Sequence, residues 1–387
     1  MTVKVAVFLS HPIQYFSPIW RRLAKDKSLE VTVFYLSDSS IKGGFDPGFG
    51  REIKWDVPLL KGYKSVFLKR NANPARRWSL YIPSLTALLK EGGFQCVVIP
   101  GYSRPFEWQI LWTARDLGIK VVMRGEFAPS FSENPIKKWV RKKFLKVIYS
   151  RVDAFAVIGI EARKHLGEHG VKAEKLFSSP YCVDSTLFSK KVKSEKVSAL
   201  RKKLGLNRQD KIVLFSGKLI TRKRPETLIR AIAQMTDLSK VKAVLLGDGK
   251  LMPLLKQLAN QIAPGRIFFP GFVNQTQLGD YFGLADAFVL PSEYETWGLV
   301  INEAMHHGLP VYASDKIGCV KDLVLPGCTG EVFEVDDFKT LAEQLKRLLT
   351  DSNLSEKYSK NAIKVIQKHN PQEAAKGIQK AIFKAIE

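Results

Sequence analysis

The chain is poor in the residues that build covalent or metal staples. Its 387 residues include four cysteines, Cys96, Cys182, Cys319 and Cys328, none in C-x2-C spacing. That scatter excludes a zinc ribbon and a disulfide framework, and it predicts buried free thiols. His165 and His169 stand four apart but without the H-E-x-x-H pattern, and no Asp-x-Asp occurs, so no metal is expected. No run reaches 18 apolar residues, which excludes a membrane-spanning helix. The stretch Met1–Ser10 reads as a first strand with neither a basic leader nor a cleavage site, so a cytoplasmic location is expected. Acid is also scarce: 37 Asp+Glu stand against 61 Lys+Arg, a net charge of +24. Such an imbalance predicts attraction to an anionic partner, whether a membrane surface, a polyanionic acceptor or nucleic acid.

What is abundant is alternation. Apolar runs at Val31–Leu36, Cys96–Gly101, Lys120–Arg124, Ala154–Ile158, Lys211–Ser216, Ala243–Gly249, Ala285–Leu290 and Val311–Ser314 are interleaved with helical patterns. This predicts an α/β fold with doubly wound parallel sheets. Two such arrays flank the Lys-rich stretch 190–208, and a chain of this length accommodates two domains. The expected limits are 1–190, 191–365, and a C-terminal segment 366–387 with helical spacing at Ile378, Ile382 and Ala385.

The most informative stretch is Pro291–Pro310, PSEYETWGLVINEAMHHGLP. A strand, a loop and a helix start follow one another here. Free amides at a helix N-terminus favour an anion, and Gly298 permits close approach to the backbone of Leu299 and Val300. A phosphate cradle does not gain from nearby carboxylates. Glu295 and Glu303 are therefore read as acceptors for hydroxyls attached to the anion, or else as a solvated pair on a surface helix. Upstream, Gly217, Lys218 and Lys223 follow a strand directly in GKLITRKRP.

Glu295-x7-Glu303, with Trp297-Gly298 inside and Glu-Ala-Met-x-x-Gly-x-Pro after it, resembles the signature of GT-B glycosyltransferases of family GT4. The resemblance covers nearly the whole chain, weakly over 1–190 and specifically from Ser216 to Gly330. It implies a GT-B fold, two Rossmann-like domains facing across a cleft, and sugar transfer from a nucleotide-diphosphate sugar with retention of configuration. In that family the second Glu holds the ribose, which falls on Glu303. The first lies beside the donor sugar, which falls on Glu295. Lys218 and Lys223 align with two cations that neutralise the diphosphate, Lys standing at 218 where Arg is usual. Gly217, Gly247, Phe272 and Val273 fall on loops that flank the donor. The Gly-Asp-Gly at 247–249 lacks the third glycine of a dinucleotide fingerprint and so is weak support for NAD. The donor is thus a co-substrate, with no cofactor expected.

In the first half, His11, Gln14 and Tyr15 follow the first strand, and Arg124 and Glu126 follow another, at the strand ends where ligands bind in α/β sheets. His11, Gln14, Tyr15 and Arg124 are expected on the acceptor side, Arg124 balancing a phosphate. Glu126 is expected to bind a sugar hydroxyl or assist the acceptor; an ordinary ion pair is the other reading of Arg124 and Glu126. The family's Gly-rich loop after the first strand is missing, as is a His-containing turn near 124. The aromatic segment Ser37–Lys69 reads as an acceptor-side wall or as an Ω-loop packed on itself. Pro135–Tyr149 sets Ile136, Val140, Phe144 and Val147 at helical spacing among Lys137, Lys138, Trp139, Arg141 and Lys142. This is either a basic amphipathic helix for an anionic leaflet or a core helix with a solvated face. The expected partners are a nucleotide-sugar donor, a glycan or lipid-linked acceptor and an anionic membrane surface, in cell-surface polysaccharide synthesis. The rival reading is a basic membrane- or nucleic-acid-binding protein on a non-catalytic scaffold of the same shape. Aromatics are not concentrated among the Lys/Arg as a nucleic-acid platform would require, so no nucleic acid is expected.

Overall fold

The computed structural model describes residues 2–69, 80–127, 134–188 and 192–387. The chain forms two compact units: residues 1–44, 58–182 and 370–387 make the first, and 45–57 with 183–369 make the second. The crossover at Cys182/Val183 lies eight residues before the expected boundary at 190/191, which itself falls outside the described residues, and the return at Asn370 lies four residues after the expected 366.

The first unit holds a seven-stranded parallel sheet. Its strands are β1 (Val3–Leu9), β2 (Leu29–Tyr35), β5 (Lys64–Phe67), β6 (Cys96–Ile99), β7 (Lys120–Met123), β8 (Ala154–Val157) and β9 (Leu176–Ser178), in the order β5-β2-β1-β6-β7-β8-β9. β1 pairs in register with β2 from Val3↔Leu29 to Leu9↔Tyr35. Both faces are covered, so the central strands are continuous apolar runs rather than alternating ones. The helix Pro371–Ile386 joins this unit from the far end of the chain. Its Ala374, Ile378, Ala381 and Ile382 lie in one core with Val5, Val7, Val33 and Val98.

The second unit holds a six-stranded parallel sheet. Its strands are β10 (Lys211–Ser216), β11 (Val241–Leu246), β12 (Ile267–Gly271), β13 (Ala287–Leu290), β14 (Val311–Ser314) and β15 (Gly330–Phe333), in the order β12-β11-β10-β13-β14-β15. The order reverses at β10, which sets β11 on one side and β13 on the other. In open α/β sheets such a reversal opens a ligand crevice at the strands' carboxyl ends.

The segment 37–69 contains a short helix (Ser39–Lys42), a two-stranded ribbon of β3 (Gly44–Asp46) and β4 (Arg51–Ile53), and β5. It is therefore not an Ω-loop packed on itself, and it divides between the two units. Residues 45–57 group with the second unit rather than forming a wall of the first, and β5 is an ordinary edge strand. Three of the cysteines are buried and free as expected; Cys328 is half-buried. Among the described residues no helix is long and apolar enough to cross a membrane.

His165 is buried in the first unit, its Nε2 3.1 Å from the Tyr149 hydroxyl and its ring 4.2 Å from that of His169. Burial, reinforced by His169 and Arg141, pushes it down to about 4. A folded value below the unfolded 6.5 means that protons favour the unfolded chain. The contribution is complete above pH 6.5 and fades as pH falls toward 4, the same window in which burial holds His11 and His306 at about 4. Melting temperature should therefore fall between pH 7 and pH 4.5, less steeply in His165→Gln, as measured by thermal unfolding across that range.

Candidate functional site: a cationic sheet edge with a buried carboxylate

β10 leaves its sheet into Gly217-Lys218, and the backbone is held tightly there. The Gly217 amide donates to Leu246 O at 3.0 Å, and a Cβ on Gly247 (φ 129°) would lie 1.8 Å from Gly217 O. Only glycine lets the ends of β10 and β11 meet this closely. Leu219, fully buried, anchors the loop, and a 3-10 turn over Thr221–Lys223 points Arg222 and Lys223 toward the next strand end.

From β13 the chain runs through Pro291–Trp297 to the helix Leu299–His306. Gly298 caps it at φ 94°, in the left-handed region, where a Cβ would also lie 3.0 Å from Ile317. The buried Trp297 indole donates to Asn302 Oδ1 at 2.9 Å, locking the loop onto the first turn. The first-turn amides of Leu299 and Val300 are thereby held at the sheet's carboxyl edge. Glu303, one turn further on, is 2% exposed. Its carbonyl accepts from His307 Nδ1 at 3.0 Å, and that ring stacks on Phe282. Glu295 retains only 12% of its side-chain exposure. One carboxylate buried and the other largely enclosed dispose of the reading as a solvated pair on a surface helix.

Glu295 is gripped by two cations, Lys223 in direct contact and Arg222 at 3.3 Å. Arg222 also donates to Tyr294 O at 2.6 Å, so its guanidinium bridges the two loops. Burial drives Lys223 below its ordinary value, and Glu295 opposes the shift. Lys218 is paired too, with Asp46 at 2.8 and 2.9 Å. Arg224 turns away toward Glu293, Glu226 and Asp336 and does not join the site.

Gly217, Lys218, Lys223, Gly247, Glu295, Gly298, Leu299, Val300 and Glu303 are therefore gathered at one edge of the second sheet. Phe272 follows β12, its ring 5.1 Å from Phe49 and 5.2 Å from the Arg51 guanidinium, and Val273 stands beside it in the chain, just before the helix Gln275–Leu284. Asp46, Phe49 and Arg51 were not among the expected residues. An Asp-Pro-Gly turn and scattered aromatics mark their segment, but nothing local ties Asp46 to a lysine 172 residues away.

In the first unit, His11, Gln14 and Tyr15 lie half-buried in the turn after β1, with His11 Nδ1 2.9 Å from Ser10 Oγ. Arg124 departs from expectation. It is 5% exposed, and its guanidinium lies against the neighbouring rings of Phe16 and Tyr181, 5.3 and 5.2 Å from their centroids. Its Nε donates to Ser179 Oγ at 2.9 Å, and Ser179 in turn donates to Ala374 O at 2.9 Å. A guanidinium so enclosed ties β7 to the helix Pro371–Ile386 rather than presenting charge to a phosphate. Glu126 is exposed and accepts from the Tyr181 hydroxyl at 3.0 Å, so it is not the ion-pair partner of Arg124. The basic helix Pro135–Tyr149 buries Leu145, Ile148 and Tyr149, whereas Ile136, Trp139, Val140 and Val147 are exposed and Phe144 packs on Trp108. Its apolar stripe is thus not a core face.

Residues 196–365 match the family model described as "Glycosyl transferases group 1". This part of the chain is similar to the group 1 glycosyl transferases. The alpha-D-kanosaminyltransferase of Streptomyces kanamyceticus is 30% identical over 59% of this chain and 58% of its own length. The N-acetyl-alpha-D-glucosaminyl L-malate synthase of Bacillus anthracis is 29% identical over 41% of each chain. The chain thus spans about half the length of the curated relatives it matches. The crystal structure of Anabaena HepE in complex with UDP and glucose superposes with a TM-score of 0.72 at 17% identity, covering 98% of this chain and 99% of that one. That match establishes the expected GT-B class, with two Rossmann-like doubly wound units. The group 1 segment contains every charged residue of the sheet-edge site except Asp46 and Arg51.

If Lys223 is the main counter-ion of Glu295, Lys223→Met should cost roughly 2–3 kcal/mol in urea unfolding. That is somewhat less than for a fully buried pair, because Arg222 remains. Adding Glu295→Gln should restore most of the loss.

Proposed function

We propose that the chain is a glycosyltransferase that takes a sugar from a nucleotide-diphosphate sugar and passes it, with retention, to a hydroxyl of a glycan or lipid-linked acceptor. The observation that carries this reading is the joint placement of Lys218, Arg222 and Lys223 with the amides of Leu299 and Val300 and the buried Glu303. Cations and amides suit a diphosphate, and a carboxylate beyond them suits the vicinal hydroxyls of a ribose. As the bond from the sugar's anomeric carbon to the diphosphate breaks, negative charge grows on the leaving oxygen, and Lys218 and Lys223 would stabilise it. Glu295 stands next to the same cations and would face the donor sugar. In the first unit, His11, Gln14 and Tyr15 would line the acceptor side, and Glu126, oriented by Tyr181, would receive an acceptor hydroxyl.

In this reading no metal is required, because fixed cations meet the diphosphate charge. Among the described residues there is no cluster of three or more His, Cys, Asp or Glu suited to hold one. The HepE complex with UDP and glucose makes a uridine nucleotide the first to test. A thermal-shift panel of UDP, GDP, ADP, CMP and NAD, with and without EDTA, checks the reading. One nucleoside diphosphate at about 100 times its dissociation constant should stabilise by roughly 2.7 kcal/mol, unaffected by EDTA and lost in a folded Glu303→Ala. No response to any diphosphate would leave the basic binding module as the better account.

The exposed stripe Ile136, Trp139, Val140 and Val147 amid Lys137, Lys138, Arg141 and Lys142 supports a peripheral site on an anionic leaflet, where a lipid-linked acceptor would reside. Each basic side chain near the surface contributes about 1 kcal/mol. The protein should co-sediment with anionic but not zwitterionic vesicles, and Trp139→Ala with Lys137→Gln and Lys138→Gln should reduce binding at least tenfold. Equal or tighter binding to DNA would instead favour the nucleic-acid module.

A further inference from the structure

The ribbon β3–β4 and the residues after it lie in sequence within the first half, yet they pack on the second unit. They cover two features of the proposed donor site at once. Asp46 holds the Lys218 ammonium with both carboxylate oxygens, and the Phe49 ring lies 4.9 Å from the same nitrogen. Phe49 also meets Phe272 edge to face, and Arg51 lies over the other part of that ring while approaching Asp248 at 4.0 Å. The turn itself is rigid: Asp46 Oδ1 accepts from the amides of Gly48 and Phe49 at 2.8 and 3.2 Å, and Gly50 donates to Asp46 O at 2.8 Å. Further along, the Asn274 side chain donates to Lys54 O at 2.8 Å, and the Thr276 hydroxyl donates to Asp56.

We infer that residues 45–57 form a strap that occupies the donor site in the absence of donor, the Asp46 carboxylate standing where a phosphate would sit and Phe49 covering Phe272. This deepens the nucleotide-sugar reading and rests on it. One ammonium cannot satisfy a bidentate carboxylate and a diphosphate at full strength together, so the incoming phosphate must displace Asp46. The pair remains about one-third exposed, so the exchange has an aqueous route and a modest cost. Burial alone would raise the Asp46 carboxyl, but Lys218 and the two amides outweigh it and hold it below the ordinary value, so the competing anion is fully charged at neutral pH. The attachments of Lys54 and Asp56 do not involve Lys218, so the strap can open at its tip and stay tethered at its base.

The test is isothermal titration of UDP, GDP and ADP into the intact protein, Asp46→Asn and Phe49→Ala, together with amide hydrogen exchange over residues 44–57. Asp46→Asn should bind one of these nucleotides roughly fivefold more tightly than the unaltered protein, since about 1 kcal/mol of competing ion pair is removed. Phe49→Ala should shift affinity in the same direction. Nucleotide should accelerate exchange at Gly48, Phe49 and Gly50, against the usual protection on binding. Binding by Asp46→Asn alone would also support the strap. Nucleotide binding that Asp46→Asn leaves unchanged or weakens, with these amides protected, would show that Asp46 merely positions Lys218, and it would overturn the strap while leaving the donor site standing. Binding by none of the three proteins would overturn the donor-site reading and the strap with it.

Discussion

Lys218, Arg222 and Lys223 emerge within six residues from a single strand end, and their mutual repulsion constrains the whole sheet edge. Like charges held this close in a partly buried loop require anions between them, or the loop spreads apart. The protein supplies one from each side: Glu295 from the loop after β13 neutralises Lys223 and Arg222, and Asp46 from β3 neutralises Lys218. The rest of the local architecture can be read as the means of keeping those carboxylates in place. The Trp297 indole bonded to Asn302 and the left-handed Gly298 fix the loop after β13 to the helix start, and the close meeting of Gly217 with Gly247 joins the ends of β10 and β11.

The two carboxylates differ in how they can respond to a ligand. Glu295 is enclosed, shares two cations and belongs to the same sheet edge as they do. Asp46 sits on a two-stranded ribbon with its pair one-third exposed. An anionic ligand at this edge would therefore meet a fixed partner on one side and a replaceable one on the other. Glu303, buried behind the helix start, is the third acid of the edge, and its position one turn from the first-turn amides of Leu299 and Val300 suits an uncharged polar group rather than a cation.

The central strands and the helix start at Gly298 were legible because strong local signals agree there: a continuous apolar run, a glycine, then helical spacing. Strands β5, β9 and β15 escaped because they lie at sheet edges, where exposed and half-buried residues interrupt the apolar run. The Glu pair was readable as a pattern, but its burial was not, since a solvated pair has the same spacing. Arg124 shows the opposite failure. Its place after a strand suggested a ligand, whereas two aromatic rings and Ser179, all distant in sequence, enclose it. The Asp46–Lys218 pair was invisible for the same reason: charge complementarity carries no address along the chain.

The helix Pro371–Ile386 contributes Ala374, Ile378, Ala381 and Ile382 to the core of the unit that starts at β1, so neither unit is a continuous stretch of chain. The consequence concerns the order of events during synthesis. The seven strands of the first sheet leave the ribosome nearly two hundred residues or more ahead of the helix that completes their packing, and they wait with an apolar face uncovered while the second unit folds. Domain-by-domain completion, common in proteins of this length, is closed to the first unit, and cutting the chain at residue 183 would yield an N-terminal fragment without the helix that fills its core.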